Sequence, residues 1–210
     1  MNIRKEFIKV KCERKDCPRY NDPCCKISSE IDRVTDYNDI DLFFIGMGGG
    51  WREEKLHFPF CGKSGSYMRS IIKYLWELGI LFNIALSNTI RGHPKDAQGK
   101  DRPPTEEEEQ HCRRYLVEDI EKIKPRVLVP TGGCSSTLLL GLPRNTTITS
   151  IRGREFEDED GYKIVPTYHP SFLLRTYNTF DPKKQNEFDV KFINDIKKAI
   201  SLTSQQSLFF

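Results

Sequence analysis

The chain has 210 residues and a mass of 24.4 kDa, the size of one α/β domain or at most two small ones. Hydrophobic residues make up 37% and charged residues 30%; no apolar run approaches the ~18 residues of a membrane span, and the N-terminus has no apolar signal segment, so membrane and secreted classes are set aside. The net charge of +3, from 33 Lys+Arg against 30 Asp+Glu, permits nucleic-acid binding without arguing for it.

Seven cysteines stand out, four of them (Cys12, Cys17, Cys24 and Cys25) within fourteen residues. In a cytosolic chain such a knot reads as a metal or cluster site rather than as disulfides, and the odd total agrees. Residues 1–35 are otherwise basic and turn-rich, with no apolar period. They are expected to need a metal or the main body in order to pack.

Residues 41–45 form a short apolar run ending in Gly46, which predicts a buried parallel strand followed by the loop Gly48-Gly49-Gly50. The spacing of Tyr67, Met68, Ile71, Ile72, Leu75 and Trp76 predicts a one-faced helix over 64–79. Residues 84–88 read as a second strand, and the polar, proline-bearing 91–104 as a loop. Thr105-x-x-Glu108 is a capping box, and four consecutive glutamates sit in the first turn, where the helix dipole favours them. Pro125 follows that helix. Residues 126–130 read as a third strand, with Gly132-Gly133 turning into a helix through Leu140. Two extended runs, 147–151 and 162–166, bracket an acidic turn, and an amphipathic helix covers about 187–200. The alternation predicts a three-layer αβα architecture on a central, mostly parallel four-stranded sheet. In such sheets ligands bind beyond the carboxyl ends of the strands. Three loops fall there, 46–60, 88–93 and 168–175, and they are expected to share one site.

Read together, those loops resemble the uracil-DNA glycosylase superfamily, closest to its iron–sulfur family 4 type. The family's G-E-A-P-G … P-F-V-G is met in frame by Gly46-Met47-Gly48-Gly49-Gly50 … Pro59-Phe60-Cys61-Gly62. Its strand-end Asn and N-R-P-P-T loop are met by Asn88 and Asp101-Arg102-Pro103-Pro104-Thr105, and its C-x-x-Y-L by Cys112 to Leu116. The I-x-P-x-V segment, here Ile123 to Val127, follows. Arg152-Gly153-Arg154 and Pro166 to Arg175 meet the family's R-G-R … P-T-Y-H-P-S-x-L-L-R almost letter for letter. Singly, Phe60 reads as core, Asn88 as a strand-end cap and His169-Pro170 as a turn; only the ordered set is specific.

The resemblance implies a monofunctional glycosylase of base-excision repair that flips uracil out of DNA and hydrolyses its N-glycosidic bond. It implies that Phe60 stacks on the base, Asn88 reads its edge, and His169 stabilises the charge developing on the leaving base. The backbone of Gly46, Met47 and Gly48 would approach the nucleotide closely, and Ser171, Leu173 and Arg175 would touch phosphate or wedge into the gap. The DNA is expected to be single- or double-stranded.

Two departures follow. Met47 stands where the family has a glutamate that polarises water. A thioether accepts no proton, so general-base help worth roughly 10²–10⁴ would be lost unless Glu53 or Glu54 supplies it. A silent binder of uracil-containing or single-stranded DNA, or a glycosylase for another deaminated base such as hypoxanthine, therefore stays open. The family's third cluster cysteine is replaced by Gly92, next to His93. The resemblance implies a [4Fe–4S] cluster on Cys12, Cys17, one of Cys24 and Cys25, and Cys112. Zinc, or His93 as a ligand, is the alternative. Cys61 and Cys134 are expected to be buried, inert thiols.

The expected organisation is a cluster-binding segment over 1–35, a glycosylase-like domain over 36–202 and a tail over 203–210. In the tail, Gln205, Gln206, Ser207, Leu208, Phe209 and Phe210 resemble a shortened sliding-clamp (PCNA) binding peptide; packing back on the chain's own domain is the other reading. The protein is expected to be a monomer in the cytoplasm, associated with the nucleoid, in an archaeon or bacterium.

Overall fold

A computed structural model describes residues 2–9, 27–35, 38–179 and 182–203, with the backbone alone for 176–179 and 182–186. Cys12, Cys17, Cys24, Cys25 and the peptide from Gln205 to Phe210 lie outside the described residues. The elements in chain order are β1 (Arg4–Ile8), β2 (Ser29–Arg33), β3 (Leu42–Gly46), α1 (Trp51–Leu56), α2 (Lys63–Glu77), β4 (Ile84–Asn88) and α3 (Glu106–Ile123). They continue with β5 (Val127–Pro130), α4 (Gly133–Leu139), α5 (Ile148–Ile151), β6 (Phe156–Glu157), β7 (Lys163–Ile164), α6 (Pro170–Thr179) and α7 (Pro182–Thr203).

The strands form one sheet of order β1-β2-β4-β3-β5-β7-β6. β4, β3, β5 and β7 run parallel, while β1, β2 and β6 are added antiparallel at the two edges. The sheet is therefore seven-stranded rather than four-stranded. The added strands escaped the hydrophobic pattern because they are short and carry charge, β1 and β6 as the sheet's edges and β2 as the strand beside one. In β2, Glu30 and Asp32 are buried and accept ion pairs from Lys5 of β1 and Arg69 of α2.

The central strands are apolar on both faces, as parallel strands under helices must be. Leu42 and Phe44 of β3 enter one core with Met68, Leu75, Leu173 and Phe192, from α2, α6 and α7. Phe43 and Ile45 enter the opposite core with Ala85, Leu128 and Leu116 of α3. Helices thus cover both faces. The capping box forms: Thr105 Oγ1 accepts from the Glu108 amide at 3.2 Å, and the Glu108 carboxylate accepts from the Thr105 amide at 2.8 Å. Arg102 donates to both oxygens of the same carboxylate, at 2.7 and 2.8 Å, which ties the proline-bearing loop to the helix start.

Residues 147–151 are not extended; 148–151 make one helical turn, α5, whose β-branched residues suggested a strand. The turn delivers Arg152 to Asp195 of α7. The segment after His169 is helical rather than a loop, beginning at Pro170, where the missing N–H costs nothing.

Candidate active site

β3 is flanked by β4 on one side and β5 on the other, and the chain leaves toward opposite faces from their carboxyl ends, a topological switch point. There lies a cavity of about 470 Å³, within the ~300–1,000 Å³ usual for small-ligand sites. Met47, Phe60, Asn88, Gly132 and His169, each from a different loop or element end, line it together with Arg175 of α6.

Gly46 and Asn88 are register partners at the ends of β3 and β4. A Cβ on Gly46 would collide with Asn88 Oδ1 and meet Phe60 Cζ at 2.9 Å, so the glycine lets the amide and the ring converge. Asn88 is only 4% exposed, and its Nδ2 has no hydrogen-bond partner among the described residues. A buried, unsatisfied amide donor in a cavity is costly unless a ligand completes it. Phe60 holds a left-handed backbone (φ 50°), a strained choice for an aromatic residue that turns its ring toward the site. Behind it Gly65 packs directly on the Phe60 carbonyl, leaving no room for a side chain.

The glycine loop is zipped to the segment after β4. The amide of Thr89 donates to Gly46 O at 2.8 Å, Thr89 Oγ1 to Met47 O at 2.6 Å, and the Gly49 amide to Gly92 O at 2.8 Å. From the other side, the buried Glu53 carboxylate accepts from the Gly50 amide at 3.1 Å and the Gly62 amide at 2.7 Å. Glu53 is a positioning residue for both rims of the cavity. Glu54 instead pairs with Lys95 and His93, and the lysine holds its carboxyl below the usual range.

His169 stands at the start of α6, with its ring 6.3 Å from that of Phe60 and tilted by 27°. Its Nδ1 accepts from the Ser171 amide at 3.1 Å and lies 2.7 Å from Ser171 Oγ. An amide can only donate, so the neutral ring carries its proton on Nε2. Burial, then the charge of Arg175, depress its pKa to about 4, leaving a neutral donor at neutral pH. Gly132, at φ 87°, donates its amide to Thr167 O at 2.8 Å, and a Cβ there would lie 2.9 Å from His169 Cβ.

The structure places Gly46, Met47, Gly48, Phe60, Asn88 and His169 around this one cavity, together with Ser171 and Arg175. Leu173 is not among them: it is 0% exposed, inside the core, and faces away from solvent because α6 packs that side on α2. Its neighbour Leu174 lies on the surface groove instead. Cys61 and Cys134 are half-buried rather than core. Burial pushes both thiols up, Cys61 to about 11 with help from Glu53, so neither is a thiolate at neutral pH.

Sequence reasoning missed the fourth loop, 131–134; the Gly132-Gly133 pair directly after a buried strand was its signal. It also missed Arg91, which is 1% exposed and joins Ser29 of β2, Ser87 of β4, and Tyr115 and Asp119 of α3. Cys112 is buried on α3, one turn before Tyr115. His93 has carboxylate oxygens of Glu54 and Asp101 2.7 Å from its two nitrogens, which leaves neither for a metal in this arrangement. Among the described residues, no group of three His, Cys, Asp or Glu side chains is set to hold a metal ion. No helix among them is long and apolar enough to cross a membrane.

The doubly wound sheet thus carries at its switch point a cavity with an aromatic face, an amide donor unpaired among the described residues and a neutral histidine, the arrangement of an α/β protein with a ligand site at the carboxyl ends of its strands. Residues 34–197 match the family model described as the uracil DNA glycosylase superfamily, and the chain belongs to that superfamily. It is 29% identical to the type-4 uracil-DNA glycosylase of Thermotoga maritima over 210 residues, 98% of this chain and 100% of that protein. The type-4 uracil-DNA glycosylase of Archaeoglobus fulgidus is 26% identical over 158 residues, 72% of this chain and 73% of that protein. A DNA polymerase of Bacillus phage SP01 is 34% identical over 103 residues, 49% of this chain but 10% of that protein.

Proposed function

We propose that the protein is a monofunctional DNA glycosylase that excises uracil from DNA by hydrolysis of the N-glycosidic bond. The convergence of Phe60, Asn88 and His169 on one cavity carries the proposal. A uracil flipped into the cavity lies against Phe60, and the Asn88 amide, whose Nδ2 has no partner among the described residues, hydrogen-bonds its edge. The C1′–N1 bond breaks, and its electron pair leaves on the base as an anion delocalised over N1 and the carbonyl oxygens. The His169 Nε2–H donates to that anion. A neutral, pre-aimed donor in a water-poor pocket stabilises the charge without a proton transfer. Water adds at C1′, and its proton passes through solvent to the departed uracil anion, which leaves as neutral uracil. With Met47 at the loop, no carboxylate stands at that position to take the proton, so leaving-group stabilisation carries most of the rate.

The N-terminal cysteines are proposed to hold a [4Fe–4S] cluster through Cys12, Cys17, one of Cys24 and Cys25, and Cys112. A run of contacts supports this. The Ile27 amide donates to Arg91 O at 3.4 Å, and Arg91 Nη2 donates to Tyr115 O at 3.1 Å, one turn from Cys112. The chain therefore leaves the cysteine knot close to the helix that carries the fourth thiol. Soft thiolates suit such a cluster, and its role here is to fasten residues 1–35 to α3.

The test is base release from single- and double-stranded DNA bearing uracil or hypoxanthine. The wild type is expected to release uracil, His169→Ala to lose about 10²-fold or more in kcat, and Met47→Glu to gain about tenfold or more. DNA retained without base release would leave the silent-binder reading standing, and release of hypoxanthine alone would reassign the base.

A further inference from the structure

Trp51, the first residue of α1, is the most exposed large hydrophobic side chain among the described residues, at 66%. Tryptophan is seldom left so open. Beside it a groove of about 600 Å³ is lined by Trp51, Arg52, Lys63 and Leu174. Glu53, Ser64, Ser171 and Arg175 line both this groove and the base cavity, so one opens out of the other. Lys55, one turn along α1, lies 5.5 Å over the indole. Among the described residues no carboxylate pairs with Arg52, Lys55 or Lys63. The adjacent acids are engaged elsewhere, Glu53 with the Gly50 and Gly62 amides and Glu54 with Lys95 and His93. The mouth of the cavity therefore presents an exposed indole, with Lys55 over one face, among cations that no carboxylate of the described residues pairs.

Such a surface is complementary to a strand of unpaired nucleic acid, which offers bases to stack and phosphates to pair. Flipping one nucleotide also bares a face of its neighbour in the same strand. We propose that the groove takes the DNA strand flanking the flipped nucleotide, with Trp51 stacked on the neighbouring base and Arg52 and Lys63 against its phosphates. The proposal rests on the glycosylase reading of the cavity and adds a second base-binding position outside it.

The two tryptophans make it measurable, because Trp76 is 6% exposed and donates its indole N–H to Phe82 O, away from any strand. The probe is a single-stranded oligonucleotide carrying 2′-fluoro-2′-deoxyuridine, whose fluorine slows base loss, titrated into the full-length protein. Wild-type emission is expected to be quenched on binding. Trp51→Phe should bind within about twofold but lose that quenching, and Trp51→Ala should weaken Kd about tenfold. Arg52→Ala and Lys63→Ala should each flatten the dependence of log affinity on log salt by about 0.7. On a uracil-bearing strand, Trp51→Ala should raise KM about tenfold. Unchanged affinity and unchanged quenching in these variants, with wild-type excision intact, overturns the groove proposal and leaves the glycosylase reading in place. A wild type that neither binds nor excises overturns both. Self-association of the wild type that Trp51→Ala abolishes, with DNA affinity unchanged, assigns the patch to a second copy of the chain and also overturns it.

Discussion

At the scale of single residues, His169 is the group whose behaviour is most constrained. The Ser171 amide fixes its tautomer, and burial keeps it neutral far below the ordinary histidine range. Activity that depends on a neutral donor is therefore expected to be flat from pH 8 to about 5 and to fall only as pH approaches about 4. A pH–rate profile with its acid limb near 6.5 would refute this. The same shift acts on stability. Between pH 6.5 and about 4 the unfolded chain takes up a proton that the native ring does not. The increment is whole above 6.5 and is lost as pH falls through that window. Asn88 and Phe60 were legible in the sequence only as members of an ordered set, because an amide at a strand end and a phenylalanine near a turn have ordinary structural uses. The anchoring role of Glu53 was not legible. A carboxylate that accepts two backbone amides looks, in sequence, like any acid of a charged stretch.

At the scale of elements, the site is held by close approaches that only small residues allow. Gly132 combines a left-handed backbone with a side chain's absence against His169. With φ 87° and ψ 171° Gly132 lies in a region essentially confined to glycine, so Gly132→Ala is expected to cost about 1–3 kcal/mol for the backbone alone, and to lower kcat by at least about tenfold as His169 is displaced. Gly141 serves as the control, with φ 61° but nothing within 4 Å of a Cβ. Its alanine variant should lose stability in thermal denaturation for its positive φ alone and keep its activity. Equal activity in the two variants would show that Gly132 does not set the position of His169. The strand leading to His169 is held independently: Asp195 of α7 accepts from Thr167 Oγ1 at 2.8 Å and from Arg152 Nε at 2.9 Å. The parallel strands and the capped α3 were readable because burial on both faces and a capping box leave strong local patterns. β1 and β2 were not, since their charges pair with one another and with α2 rather than facing a core. The helical start at Pro170 was hidden because a proline after histidine reads equally well as a turn.

At the scale of the whole molecule, the described part of residues 1–35 is joined to the body by the pairing of β2 with β4, by Arg69 of α2 on Glu30 and Asp32, and by the Arg91 network that reaches α3. If the cysteines hold a cluster, the purified protein is brown, contains about four irons, and loses its visible absorption on oxidation in the presence of a chelator. That loss should lower Tm and open residues 10–26 to protease before the α/β body is cut. A colourless protein with one bound zinc would overturn the cluster assignment. Protease resistance unchanged after metal removal would show that the segment is held by the sheet edge alone.

The Glu53 carboxylate, bonded at once to Gly50 and Gly62, makes the glycine loop and the turn bearing Phe60 a single body. Three consecutive glycines suggest mobility, yet Gly49 is bonded to Gly92 and Gly50 to Glu53, so much of the entropy of ordering the loop is lost on folding and not on binding. Met47 sits in that body with its carbonyl already engaged by Thr89 and Ile90, while its side chain faces the cavity. The backbone that shapes the pocket at Met47 is held by bonds to its carbonyl, which do not depend on the side chain standing there, so Met47→Glu is expected to leave the fold of the loop and the melting temperature unchanged.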